Sequence, residues 1–147
     1  MIEYTKYTDS ERPTHSKKEN LIDFLYKNLE NYGDPKNDIK KCIEYTLSDD
    51  KSKGGIIITA EENHEIIGCV VTNETGMKGY IPENILVYIA THSKHRGKGI
   101  GKSLMQHVIE STDGNIALHV EPDNPARFLY QKLGFTNKYL EMRLIKE

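Results

Sequence analysis

The stretch that leaves this chain the fewest folds is Arg96-Gly97-Lys98-Gly99-Ile100-Gly101-Lys102-Ser103. An almost unbroken apolar run, Ile85 to Ala90, precedes it. Leu104, Met105, Val108 and Ile109 follow with the spacing of a one-sided helix. Strand, glycine loop and helix start, in that order, make a cradle for an anion. The glycines let backbone N–H groups approach a phosphate, and the helix N-terminus adds partial positive charge.

Such a cradle has two readings: a nucleotide-binding P-loop, or the pyrophosphate loop of an acetyl-coenzyme A enzyme. Gly101-Lys102-Ser103 imitates the end of a P-loop, but the motif needs glycine where Arg96 stands, and Gly97 is one residue too close. The strand expected at Ile116 to Val120 does not end in a magnesium-binding aspartate, and too little chain follows for further parallel strands. The dinucleotide fingerprint fails as well. Lys102 and Leu104 occupy the positions that would complete G-x-G starts at Gly97 and Gly99.

The remaining elements follow from local pattern. Ile2 to Tyr7 reads as a first strand. Leu21, Ile22, Phe24, Leu25 and Leu29 mark a helix from Glu19, and Ile39, Cys42, Ile43, Thr46 and Leu47 mark a second. Gly33 suits a left-handed helix end, and Pro35 the first turn of the next helix. Ile56 to Ala60 and Ile66 to Thr72 form an antiparallel hairpin. Ile85 to Ala90 suits a strand buried on both faces. Phe128, Leu129 and Leu133 carry a last helix, capped by Asp123 or Asn124 and ended by Gly134. Tyr139 to Ile145 reads as a final strand. The order β-α-α-β-β-β-α-β-α-β implies a mixed α/β sheet covered by helices.

With 147 residues and no dividing linker, residues 1–147 are expected to form one domain. A net charge of −2 argues against a nucleic-acid partner. The basic residues Lys94, His95, Arg96, Lys98 and Lys102 surround the glycine loop, which a bound phosphorylated ligand explains at least as well as RNA or DNA. Cys42 and Cys69 have neither metal nor disulfide spacing. No signal peptide or membrane-spanning run is present in the sequence, so a cytoplasmic protein without a membrane or metal partner is expected.

Two blocks carry a family resemblance. The first is Arg96-Gly97-Lys98-Gly99-Ile100-Gly101. The second is Asn124-Pro125-Ala126-Arg127-Phe128-Leu129-Tyr130, followed by Leu133-Gly134-Phe135. Together with the element order they make the chain resemble the GNAT superfamily of N-acetyltransferases. The resemblance implies a mixed, mostly antiparallel central sheet with helices on both faces. The parallel strands Ile85–His92 and Ile116–Val120 would splay apart to admit a thioester.

It also implies acetyl-CoA as co-substrate. Amides from Arg96 to Lys102, with Gly97, Lys98, Gly99, Ile100 and Gly101 between them and Ser103 beside them, would hold the pyrophosphate. Ile89, Ala90 and Thr91 would pair with the pantetheine arm, and Asn124 would contact it. Tyr130 would lie near the sulfur as the acid for the leaving thiolate. A strand amide near Ile89 to Thr91 would stabilise the tetrahedral oxyanion formed by direct attack of a primary amine.

The family position that carries a glutamate in some members falls on Ile85. Glu83 is therefore the candidate base, with His92, His119 or water as alternatives. The amine acceptor, a small molecule or a protein, would meet Tyr26, Tyr32, Glu30 and Asp34. A homodimer is left open. The rival functions are a non-catalytic acyl-CoA sensor of the same fold and a nucleotide-binding protein.

Overall fold

The computed structural model describes residues 1–146. Five strands form one sheet in chain order: β1 (Glu3–Tyr7), β2 (Gly55–Glu62), β3 (Glu65–Glu74), β4 (Asn84–Thr91) and β5 (Ile116–Leu118). The first three pairings are antiparallel and β4 pairs β5 in parallel. The helices are α1 (His15–Asn28), α2 (Lys36–Thr46), α3 (Ile100–Ser111) and α4 (Ala126–Lys132).

The hydrophobic faces sort the helices onto the two sides of the sheet. Leu21, Ile22 and Leu25 of α1 and Ile39 and Ile43 of α2 pack against Ile57, Cys69, Val71 and Tyr88. Ile100, Leu104, Met105 and Val108 of α3, with Tyr130 of α4, pack against Ile56, Ile58, Val70 and Leu86. Both thiols are buried, which pushes the Cys42 thiol up to about 12 and raises that of Cys69 as well.

α3 lies close on the sheet because β3 carries glycine beneath it. A Cβ at Gly68 would meet Ile100 Cγ2 at 2.9 Å and Leu104 Cδ1 at 3.0 Å. Gly68→Val is expected to cost about 1–3 kcal/mol through overpacking. A lower urea midpoint at unchanged slope would register that loss.

Several local expectations are corrected. α1 begins at His15, ahead of Glu19, because Thr14 Oγ1 caps it by accepting the Lys17 N–H at 3.1 Å. Apolar spacing cannot reveal a polar first turn. Gly33 is extended, at φ −96° and ψ −178°. Glu30 takes the left-handed conformation, at φ 55°, and opens a 3-10 turn, Glu30–Tyr32. β4 alternates between buried and half-buried residues, so it is not sealed on both faces along its length.

Tyr139 to Ile145 forms no strand. These residues are exposed, Leu140 at 83 % and Leu144 at 83 %. Their alternation suits a sheet edge, but β5 offers only three residues to pair with, and Arg143 pairs locally with Glu141.

Candidate active site

β4 and β5 pair through only three residue couples: Asn84 with Ile116, Ile85 with Ala117, and Leu86 with Leu118. β4 then runs on to Thr91 while the chain after Leu118 leaves the sheet. The register of β4 against β3 slips at the same place. Val71 faces Tyr88 and Thr72 faces Leu86, which leaves Val87 as an extra residue. Such a bulge bends a strand and re-aims its side chains. The β4 backbone beyond it has no strand beside it on the β5 side. A cavity of about 330 Å³ occupies the gap, with Ile89, Ala90 and Thr91 on one wall and His119 and Val120 on the other. Tyr130 lines it from α4.

The glycine loop adjoins this cavity. After the 3-10 turn Ser93–His95, Gly97 and Gly99 adopt φ 78° and 80°, and α3 begins at Ile100. A Cβ at Gly97 or Gly99 would meet no atom within 4 Å, so the loop opens onto free space. The first amides of a helix have no intrahelical partner, which leaves those of Ile100, Gly101 and Lys102 for an anion. A second cavity, of about 400 Å³, is lined by Arg96, Gly97, Gly99, Gly101 and Lys102. Thr91, Gly101 and Leu129 belong to both cavities, so the two adjoin. A diphosphate on an extended polar arm fits this pair of spaces: anion donors at one end, an unpaired strand edge at the other.

The sequence-predicted residues divide accordingly. Ile89, Ala90, Thr91, Arg96, Gly101, Asn124 and Tyr130 line the first cavity. Gly97, Gly99, Ile100 and Lys102 line the second. Lys98 and Ser103 line neither, and the Ser103 amide already donates to the Gly99 carbonyl at 3.0 Å. Asn124 Oδ1 accepts the Ala126 N–H at 2.9 Å, which leaves its amide nitrogen and one oxygen lone pair for a ligand.

Glu83 is not brought to the cavity. It precedes β4, three residues before Leu86, the first residue of that strand to line the cavity, or about 10 Å along a strand, and lines neither cavity itself. Its carboxylate accepts the Asn115 N–H at 2.7 Å and the Gly79 N–H at 3.0 Å, and these bonds hold its pKa below the usual range. The carboxylate ties the β3–β4 loop to the connection before β5. His92 Nδ1 accepts the Lys94 N–H at 3.1 Å, and His92 lines neither cavity. Of the three side chains considered as a base, His119 alone lines the first cavity.

The α1–α2 connection supplies the remaining wall through Glu30 and Tyr32. Tyr32 OH donates to the Asp123 carbonyl at 3.4 Å, bridging this connection to the segment before α4. Its pKa is raised, first by desolvation and then by the charges of Asp123, Glu121 and Glu30. Asp34 does not line the cavity, but its carboxylate accepts from Tyr88 OH, which does, at 2.5 Å. Burial, then Asp34, raises the Tyr88 pKa. No sequence signal links Asp34 to Tyr88, because the contact spans 54 residues. Tyr26 points elsewhere: it is exposed, with Lys36 Nζ 6.0 Å from its ring centre.

Residues 53–137 match the family described as the acetyltransferase (GNAT) domain. The chain belongs to the GNAT acetyltransferase family.

Three individual proteins place this GNAT chain among relatives. A 5-NmdU N-acetyltransferase of Pseudomonas phage PaMx11 is 36% identical over 84 residues, 56% of this chain and 58% of that protein. The mouse cysteine-rich protein 2-binding protein is 29% identical over 105 residues, 70% of this chain and 12% of that protein. The chain thus spans little more than half of the first relative and a small part of the second. The fold matches an aminoglycoside N-acetyltransferase in complex with CoA, with a TM-score of 0.71 at 17% identity, covering 99% of this chain and 96% of that one. Among the described residues no helix is long and apolar enough to cross a membrane.

Proposed function

We propose that this GNAT protein, as one domain, transfers an acetyl group from acetyl-CoA to a primary amine by direct attack in a ternary complex. The observation that carries the reading is the separation of β4 from β5 after Leu86, with the glycine cradle at one end of the gap and Tyr130 in its wall. Amides of Gly97 to Lys102 would hold the pyrophosphate, with Arg96 beside them. Ile89, Ala90 and Thr91 would hydrogen-bond the pantetheine arm as a neighbouring strand does. When bound, acetyl-CoA supplies the thioester carbonyl that the amine attacks.

The acceptor arrives as an ammonium at neutral pH, its pKa near the roughly 10.4 of lysine. The acids around Tyr32 favour a cation, and His119 is the group we assign to accept its proton. An amide of Ile89 to Thr91 would donate to the oxyanion. Burial pushes the Tyr130 hydroxyl up to about 12. That lies above a thiol near 8.5. Tyr130 therefore keeps its proton and donates a hydrogen bond to the departing sulfur, instead of transferring the proton outright.

A thermal-shift titration with acetyl-CoA, coenzyme A, Mg-ATP and Mg-GTP tests the reading. A ligand specific for the native state at 100 times its Kd adds about 2.7 kcal/mol. Stabilisation by acetyl-CoA and coenzyme A alone is the expected result. Stabilisation by a nucleotide alone would return Gly101-Lys102-Ser103 to a P-loop.

A further inference from the structure

Arg96 is the one cation of the glycine loop whose charge is already engaged. Among the described residues, its Nη2 lies 3.1 Å from Glu30 Oε1, whereas Lys94, Lys98 and Lys102 form no ion pair. Its Nε also donates to the Thr91 carbonyl at 3.4 Å. Arg96 borders both cavities; Glu30 borders only the one between the strands. The guanidinium therefore spans the boundary between the anion cradle and the inter-strand cavity, and in the free protein it is paired on the inter-strand side.

We infer that Glu30 competes with the cofactor's diphosphate for Arg96, and so sets cofactor affinity from outside the anion cradle. The inference rests on the cofactor reading proposed above. The pair is half exposed on both sides, 49% for Arg96 and 55% for Glu30. Exposed pairs of this kind contribute about 0.2–1 kcal/mol. A diphosphate carries more charge than one carboxylate and is also held by the loop amides, so it displaces Glu30. Transfer of Arg96 to the diphosphate leaves the Glu30 carboxylate uncompensated at the acceptor mouth, beside Tyr32, Glu121 and Asp123. Cofactor binding then makes that mouth more acidic at the step when an ammonium must enter. Glu30 stands at φ 55°, a conformation few non-glycine residues adopt, in the 3-10 turn that carries it toward the loop.

The test is a double-mutant cycle read by calorimetric titration with coenzyme A at low ionic strength. Glu30→Gln keeps the size of the side chain and removes its charge. It should tighten coenzyme A binding about 1.4- to fivefold, the Kd equivalent of the pair's worth. In an Arg96→Gln background the same change should have no effect, because the shared partner is gone. Equal tightening in both backgrounds would overturn the inference in favour of through-space repulsion by Glu30. No tightening in either would show that the pair does not compete. Failure of the wild-type protein to bind coenzyme A at all would instead overturn the cofactor reading, and this inference with it. Circular dichroism melts of all four proteins confirm that each is folded before titration.

Discussion

Tyr130→Phe is expected to lower turnover about 100- to 1,000-fold while coenzyme A affinity changes little. The magnitude is that of removing one preorganised donor from a developing charge, about 2.7–4 kcal/mol. The ring stays where it is, 6 % exposed and packed on Phe135 at 6.0 Å between ring centres. Loss of the hydroxyl should move stability by less than about 1.5 kcal/mol. Thiol release with an accepted amine measures the rate, and calorimetry measures affinity; a rate within threefold of wild type would remove Tyr130 from the reaction.

The pH behaviour has a definite sign. With its pKa raised to about 12, folded Tyr130 stays protonated through pH 10, so its ionisation sets no alkaline limb below that pH. The variant's profile should keep its shape and drop in height. Above pH 10 the unfolded chain ionises this tyrosine while the folded protein does not. The stability owed to the neutral buried hydroxyl is therefore complete below pH 10 and lost as pH rises toward 12. Tyr130→Phe should flatten that decline in a pH series of urea midpoints.

His119→Ala is expected to cost about 100-fold in turnover, the lower end of general-base contributions. His119 is an exposed residue just past β5, so stability should stay within about 0.5 kcal/mol. Glu83→Gln provides the contrast. Its carboxylate bonds one amide in the β3–β4 loop and one in the connection before β5, so the change should lower stability and leave turnover per folded molecule unaltered. A rate loss for Glu83→Gln with none for His119→Ala would reverse the assignment of the base.

Much of the site was legible because its signals are local. Alternating glycines ahead of a helix permit a left-handed, open loop, and Gly97 and Gly99 adopt it. Asn124 to Phe135 is likewise one short helix with its flanks, and Tyr130 faces the cavity. The distance of Glu83 from the cavity is not legible, for the opposite reason. Two-residue alternation places this residue on a face, but says nothing about which end of the strand opens. That was settled by where β5 stops. The left-handed residue at the end of α1 was assigned to Gly33 on propensity. Packing overrode it: a Cβ at Gly33 would meet Leu29 Cβ at 2.8 Å, so glycine is needed there for space, and Glu30 carries the positive φ.

The sequence by itself determined the types and order of the elements from β1 to α4, and the chemistry of the loop, since each depends on residues within a turn or two of one another. Only the tertiary structure decided that β5 pairs for three residues and then departs, that Val87 bulges where it does, that Asp34 meets Tyr88, and that Tyr139 to Ile145 stays unpaired. These outcomes depend on competition among distant partners for the same edge, face or charge. A linear pattern shows that a segment is suited to pairing; the free energy of the assembled sheet selects whether it pairs and with what.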